Sequence, residues 1–317
     1  MLDYADEANL HTRIYAMRSR LLSLADYAAL ARNQDETLPA KTGGGPDVTV
    51  KGEMVFREQI AGILPLAAAA GIYAPLFLAF FRQFEALNVK LILAKAFGLM
   101  GLEQWYDIGP YALLQRSLLQ EKTDLKSIQT LLTGTYLADV LHDVSGYEQM
   151  EIQVDLCAAR NLYAASVLFP GEEKRNFQDL MTRRIAMILL ILSIRLKRTY
   201  QWDDDKIHAS LERFHDAFGG KIWPQIKILE EMLAHHLEGV RAGGAEGLSV
   251  VDVEHYLEQY HYQWISSVFH RDFHSIYCVV AYLLLLFYQI RNLLKIIEGR
   301  QFGFSPERII SRIVCNA

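Results

Sequence analysis

Apolar residues recur at the spacing of a helix face along most of the chain. Near its end, Leu286, Ile290, Leu293, Leu294 and Ile297 share one side of a 3.6-residue repeat, which predicts a helix with one face buried. Gly299 is a weak spot in that helix and Gly303 its expected stop. Ser305 then occupies the place of an N-cap, where its hydroxyl can accept from an orphan backbone N–H of the next turn. Pro306 at the first helical position and Glu307 in the first turn complete the pattern. The predicted unit is therefore helix, tight turn and short amphipathic helix, with Ile309, Ile310 and Ile313 facing inward. The string Arg13 to Ala31 also reads as helix, with Ser23 and Asp26 capping a second turn and Tyr27 and Leu30 facing the core. Phe56 to Leu99 is predicted helical as well. Residues Asn33 to Gly52 read as a flexible loop around Gly43-Gly44-Gly45-Pro46. Asp47-Val-Thr-Val50 alternates but is too short to count as a sheet, so the predicted fold class is all-α.

Length and composition refine this picture. With 317 residues, 51% of them hydrophobic and 22% charged, the chain can bury a large core and has room for two or three domains. A net charge of -5 offers no basic field for nucleic acid. Cys157, Cys278 and Cys315 lie far apart without metal-ligand spacing, which fits a reducing cytoplasmic setting. The acidic opening, Met1-Leu-Asp-Tyr-Ala-Asp-Glu, is unlike a secretory signal. Ile60 to Phe81 carries no charge and is long enough to span a bilayer, but it contains Pro65, Pro75, Gly62, Gly71 and many alanines. Buried core helices account for it better than a membrane span.

The chain also repeats itself at intervals of roughly a hundred residues. Arg198, Tyr200, Trp202, Asp203 and Ile207 fall on Arg300, Phe302, Phe304, Ser305 and Ile309. Lys95, Phe97 and Gly98 fall on Arg300, Phe302 and Gly303. Upstream, Arg116-Ser-Leu-Leu119 parallels Arg18-Ser-Arg-Leu-Leu22, with Asp124 near the place of Asp26; a third copy of this front half falls near Phe218 to Leu233. Three helical units follow: 1–114, 115–215 and 216–317.

Arg291-Asn292-Leu-Leu-Lys-Ile-Ile, followed by Arg300, Gly303 and Ser305-Pro-Glu-Arg-Ile309, resembles the C-terminal signature of the C/d family of rotary-ATPase subunits. Its members belong to the A/V-type enzymes of archaea and bacteria and to the vacuolar proton pump. Arg18, Leu21, Leu22, Asp26, Tyr27 and Leu30 resemble that family's N-terminal pattern. Leu131-Leu-Thr-Gly-Thr-Tyr136 resembles its Leu-x-Gly-Thr-x-Tyr turn, and Glu151, Asp155 and Tyr163 its Glu-Leu-Asp…Tyr helix. Gln289 departs from it, because the family usually has Glu there. The resemblance implies three similar helical units around a pseudo-threefold axis, forming a funnel. It also implies a non-catalytic central-stalk component on the cytoplasmic face of the membrane. Such a component would sit peripherally on the proteolipid ring and receive the central shaft, which the D and F subunits form. Neither cofactor nor small-molecule substrate is expected. Residues expected to serve structure or contact are Arg18, Lys90, Lys95, Arg195, Arg198, Arg291, Asn292 and Arg300, although a basic residue at a helix C-terminus also offsets the helix dipole.

No motif asks for catalysis. Asp203-Asp204-Asp205 invites comparison with the magnesium motif of isoprenoid synthases, but Lys206, Ile207 and His208 follow it and no second acidic helix faces it. N-capping explains it better. His270 and His274 have one-turn spacing, yet Arg271 stands where a zinc protease needs Glu; His235 and His236 point apart. Gly43-Gly44-Gly45-Pro46 lacks the Lys-Ser or Lys-Thr of a phosphate loop. The alternative reading is a helical enzyme with an apolar cavity, of the isoprenoid-synthase kind. Trp202, Trp223 and Trp264 are expected in the core, and Tyr256 to Trp264 is aromatic enough to line a partner surface.

Overall fold

Caps and breakers set the helix boundaries. The computed structural model describes residues 4–32, 48–99, 104–119, 124–141, 146–218, 220–242, 249–271 and 275–316. In chain order the helices are α1 (Tyr4–Arg18), α2 (Leu24–Arg32), α3 (Val48–Ala61), α4 (Leu64–Ala69), α5 (Ala74–Ala96), α6 (Leu125–Leu132) and α7 (Tyr147–Ala164). They continue as α8 (Gly171–Arg198), α9 (Asp204–Ala217), α10 (Ile222–Ala242), α11 (Val250–Phe269), α12 (Ile276–Gln301) and α13 (Pro306–Ile310). No strand occurs among the described residues, so the all-α class holds.

The end of the predicted loop is corrected. Helix α3 begins at Val48, so residues 48–52 are helical. The alternation that looked strand-like is overridden by a buried face of Val48, Thr49, Gly52, Glu53, Val55, Phe56 and Ile60, which has helical period. Gly43-Gly44-Gly45-Pro46 lies outside the described residues. The uncharged stretch from Ile60 to Phe81 is not one helix. Pro65 and Pro75 open α4 and α5, Gly71 has φ +53°, and the chain turns by 120° between the two halves. Helix α12 runs 26 residues and is long and apolar enough to cross a membrane, but 83% of its most apolar window is buried within the protein.

The chain packs as two compact units. The first comprises Met1–Leu168 with Tyr282–Ile313. In it α5 packs along α7 and on α4, while α13 packs on α2. Ala86, Val89, Ile92 and Leu93 of α5 join Ile128, Leu132, Val154 and Cys157 in one apolar cluster closed by Trp105 and Leu114. A second aromatic cluster joins Phe56, Phe80, Phe84 and Phe287 through ring contacts. The other unit, Phe169–Ala281 with Val314–Asn316, is built on α8, against which α9, α10 and α11 pack. Buried side chains of α8 include Phe177, Leu180, Met181, Ile185 and Leu189. This wide apolar face suits a helix covered by several neighbours.

Candidate interaction surface

Most of the charged residues singled out from the sequence are tied into the protein itself. Lys90 of α5 donates to Asp155 at 2.7 Å and lies 3.5 Å from Glu151, both on α7. This explains the acidic spacing on α7: one turn separates the two carboxylates, so both reach one ammonium. Arg300 donates to the carbonyl of Leu30 at 3.4 Å, near the end of α2. Arg195 holds Glu254 of α11 through two parallel contacts, one of them Nη2 to Oε2 at 2.8 Å. Asn292 is buried. Arg291 is half-buried with its guanidinium 5.8 Å from the centre of the Phe287 ring. Arg18 is half-buried at the end of α1, whereas Lys95 and Arg198 are exposed in the last turns of α5 and α8.

Gln289 shows why an amide serves at its position. Its Oε1 accepts the backbone N–H of Leu22 at 2.7 Å, and its Nε2 donates to Oε1 of Gln59 at 2.6 Å. One buried side chain thus joins α12 to α3 and to the turn before α2. The second contact needs a donor, which a carboxylate lacks.

Three further polar ties escaped the sequence reading. Asn88 clasps the backbone of Tyr106 from both sides, donating to its carbonyl at 2.9 Å and accepting from its N–H at 2.8 Å. Glu53 accepts the N–H of Trp105 and pairs with Arg116 at 2.6 Å. Glu85 accepts the N–H groups of Leu113 and Leu114 and pairs with Arg82 at 2.9 Å. Together they pin the irregular segment after α5 onto α3 and α5, satisfying backbone groups that have no helix of their own. The available signal was a lone carboxylate in an apolar helix: Glu85 follows Phe84 and precedes Ala86. Its partners were invisible without the fold. Along α12, burial raises the Glu298 carboxyl above the usual range despite Lys295 and Arg291. Burial also pushes the Tyr106 hydroxyl up to about 12.

The aromatic string of α11 is only partly at the surface. Tyr262 is buried, Tyr260 is exposed, and Tyr256 stacks on His236 at 3.7 Å. Trp264 is half-buried beneath the Arg183 guanidinium, 4.7 Å from its ring centre. Beside it lies a cleft of about 30 Å³ lined by Arg183, Leu229, Leu257, Tyr260, His261 and Trp264. That volume suits a water or a side-chain tip, far below the roughly 300 Å³ of an organic-ligand pocket. Trp202 and Trp223 are also half-buried, so the expected core placement of all three tryptophans is corrected. Each keeps one face toward a cation or imidazole: Lys206, His208 and Arg183 respectively for Trp202, Trp223 and Trp264.

Asp203 N-caps α9, accepting from the Lys206 N–H at 2.7 Å, and Asp204 pairs with Lys197 at 2.7 Å. His235 lies 3.8 Å from Glu238; His274 lies outside the described residues.

The turns after α5, α8 and α12 share a plan. Gly98 and Gly303 take φ of +70° and +68°, and Gln201 takes the same left-handed conformation at 54°. At Gly98 and Gly303 two further backbone bonds close each turn, Leu99 to Ala94 and Gly98 to Lys95, Phe304 to Gly299 and Gly303 to Arg300. After α12 and α8 the next helix is N-capped by Ser305 and Asp203, and the aromatic before the cap is covered by a cation four residues on. The Arg308 guanidinium lies 3.9 Å from the Phe304 ring centre, and Lys206 Nζ 3.7 Å from that of Trp202. Ile309 and Ile207 are buried alike. Asp124 caps α6 by accepting from the Ser127 N–H as Ser23 caps α2 by accepting from the Asp26 N–H, so Asp124 matches Ser23 and not Asp26.

No curated protein matches the chain. The sequence pattern described as "ATP synthase (C/AC39) subunit" matches residues 66–312, which takes in Lys90, Lys95, Arg195, Arg198, Arg291, Asn292 and Arg300 and leaves Arg18 outside. Covering most of the chain, from α4 to beyond α13, that match establishes that this protein belongs to the ATP synthase (C/AC39) subunit family, the C/d subunits of V/A-type rotary ATPases.

Proposed function

We propose that this chain is the central-stalk coupler of a V/A-type rotary ATPase, seated on the cytoplasmic face of the proteolipid ring and receiving the foot of the D–F shaft. The family match over residues 66–312 carries this reading. Its chemistry is mechanical. A coupler that transmits torque must resist deformation, and stiffness comes from close-packed helices cross-tied by buried polar contacts. The Gln289, Asn88, Glu53 and Glu85 contacts are ties of this kind. The recurring turn supports three units, 1–114, 115–215 and 216–317, related by a pseudo-threefold axis.

The site residues then divide by task. Lys90, Arg195 and Arg300 brace helices against one another. Lys95, Arg198 and Arg291 are the candidates for contact with the shaft. Immobilised full-length chain should retain the purified D–F shaft at low salt, and Lys95→Gln with Arg198→Gln should weaken that retention while the helix content by circular dichroism stays that of the parent chain. Failure of the unmodified chain to hold the shaft overturns the assignment.

A further inference from the structure

Resting on the coupler reading above, we propose that the turn Phe302–Arg308 is a docking knuckle that inserts its aromatic rings into apolar sockets rimmed by carboxylates on the proteolipid ring. Phe302 is 63% exposed and Phe304 40%, adjacent on one turn, with ring centres 6.2 Å apart. Leaving so much of two phenylalanine rings in water forgoes burial that would stabilise the chain. The turn nevertheless holds them in a defined pose. Gly303 supplies the left-handed residue, and two backbone bonds close the turn. Ser305 caps the short helix beyond it, and Arg308 covers the Phe304 ring at 3.9 Å. The backbone of the turn and the Phe304 ring are thus set before binding, which lowers the ordering cost of an aromatic anchor.

The same device stands at the corresponding turn after α8. There Trp202 is covered by Lys206 at 3.7 Å, Tyr200 is 36% exposed beside it, and Gln201 adopts the left-handed conformation despite having a side chain. A non-glycine residue in that conformation costs about 1 kcal/mol, and the turn keeps it.

Charge selects the partner. From Phe302 to Arg312 the chain carries Arg308 and Arg312 against Glu307, an excess of cations in a protein of net negative charge. A complementary surface is therefore apolar at its centre and anionic at its rim. Exposed apolar rings backed by an arginine suit a partner with an apolar centre and a polar rim, which a membrane-embedded ring offers more readily than a fully solvated shaft.

The test measures binding of the full-length chain to purified ring in nanodiscs. Phe302→Ser with Phe304→Ser, and separately Arg308→Gln, should weaken binding at least about tenfold, while the melting temperature falls by no more than the lost Arg308–Phe304 contact, a few degrees. Val167→Ser, at a residue 62% exposed elsewhere, should leave binding intact. If the unmodified chain binds the ring and the double variant binds equally well, the knuckle is wrong and the coupler reading stands. If the double variant loses the D–F shaft and keeps the ring, the knuckle serves the shaft and this assignment is overturned. Binding to empty anionic phospholipid vesicles as tight as to the ring would replace the protein socket by lipid headgroups. No binding of the unmodified chain to either ring or shaft sinks both proposals.

Discussion

Gln289 accepts from the Leu22 N–H and donates to Gln59, which an amide does and an ionised carboxylate does not. Gln289→Glu restores the residue usual in the family and should nonetheless destabilise this chain by about 1–3 kcal/mol at pH 7. Gln59 can turn its amide to keep a hydrogen bond, but the new carboxylate is still desolvated. The sign with pH follows: the folded state favours the protonated acid, so the deficit accrues as pH rises above the ordinary glutamate value and shrinks toward pH 5. Chemical denaturation at pH 5 and 7 checks this; a variant as stable as its parent at both pH values contradicts it. The caps at Ser305, Asp203 and Ser23 were legible because donor and acceptor lie within three residues of each other. The Gln289–Gln59 tie was not, since its partners are 230 residues apart and glutamine carries no distinctive pattern.

Gly299, inside α12, and Gly303, in the turn after it, are glycine for different reasons. A Cβ on Gly299 would lie 2.7 Å from Cγ1 of Ile309, so α13 can pack against α12 only because that side chain is missing. Gly303 has open space around it but φ +68°. Gly299→Ala should therefore cost about 1–3 kcal/mol through overpacking, outweighing the roughly 1 kcal/mol that alanine gains in a helix. Gly303→Ala should cost about 1 kcal/mol through backbone strain alone. Ile309→Ala should recover part of the first loss and none of the second. A double-mutant cycle read by denaturation decides it, and strict additivity for Gly299 and Ile309 would refute the contact. The sequence marked both glycines, Gly299 as a weak spot and Gly303 as a stop. Only the packing of α13 revealed that Gly299 is a point of close approach.

Part of the response of the whole molecule to acid should run through one buried imidazole. His261 is buried on α11, and desolvation, with the nearby Arg184 adding to it, holds its pKa well below 6.5. The unfolded chain binds this proton near pH 6.5 while the folded chain refuses it, so stability is full above that value and falls as pH drops through it. Each unit of pH below the transition removes up to about 1.4 kcal/mol for that group. Melting temperatures between pH 7.5 and 4.5 should fall less steeply for His261→Leu than for the parent chain; parallel curves would rule His261 out.

Local chemistry was enough for the helical class and for the helix ends at Ser23, Asp203, Gly303 and Ser305, because periodicity, glycine and capping residues act within a few positions. It also carried the turn signature that recurs after α5, α8 and α12. Tertiary structure decided what those residues do. The alternating string from Val48 became helix because its buried face had a core to meet, and the half-exposed tryptophans found cations. Lys90 and Arg300 became internal braces because helices far apart in sequence brought carboxylates and a carbonyl within reach. Hydrogen bonds between distant segments depend on distance in space, and a linear pattern of residue types does not contain that distance.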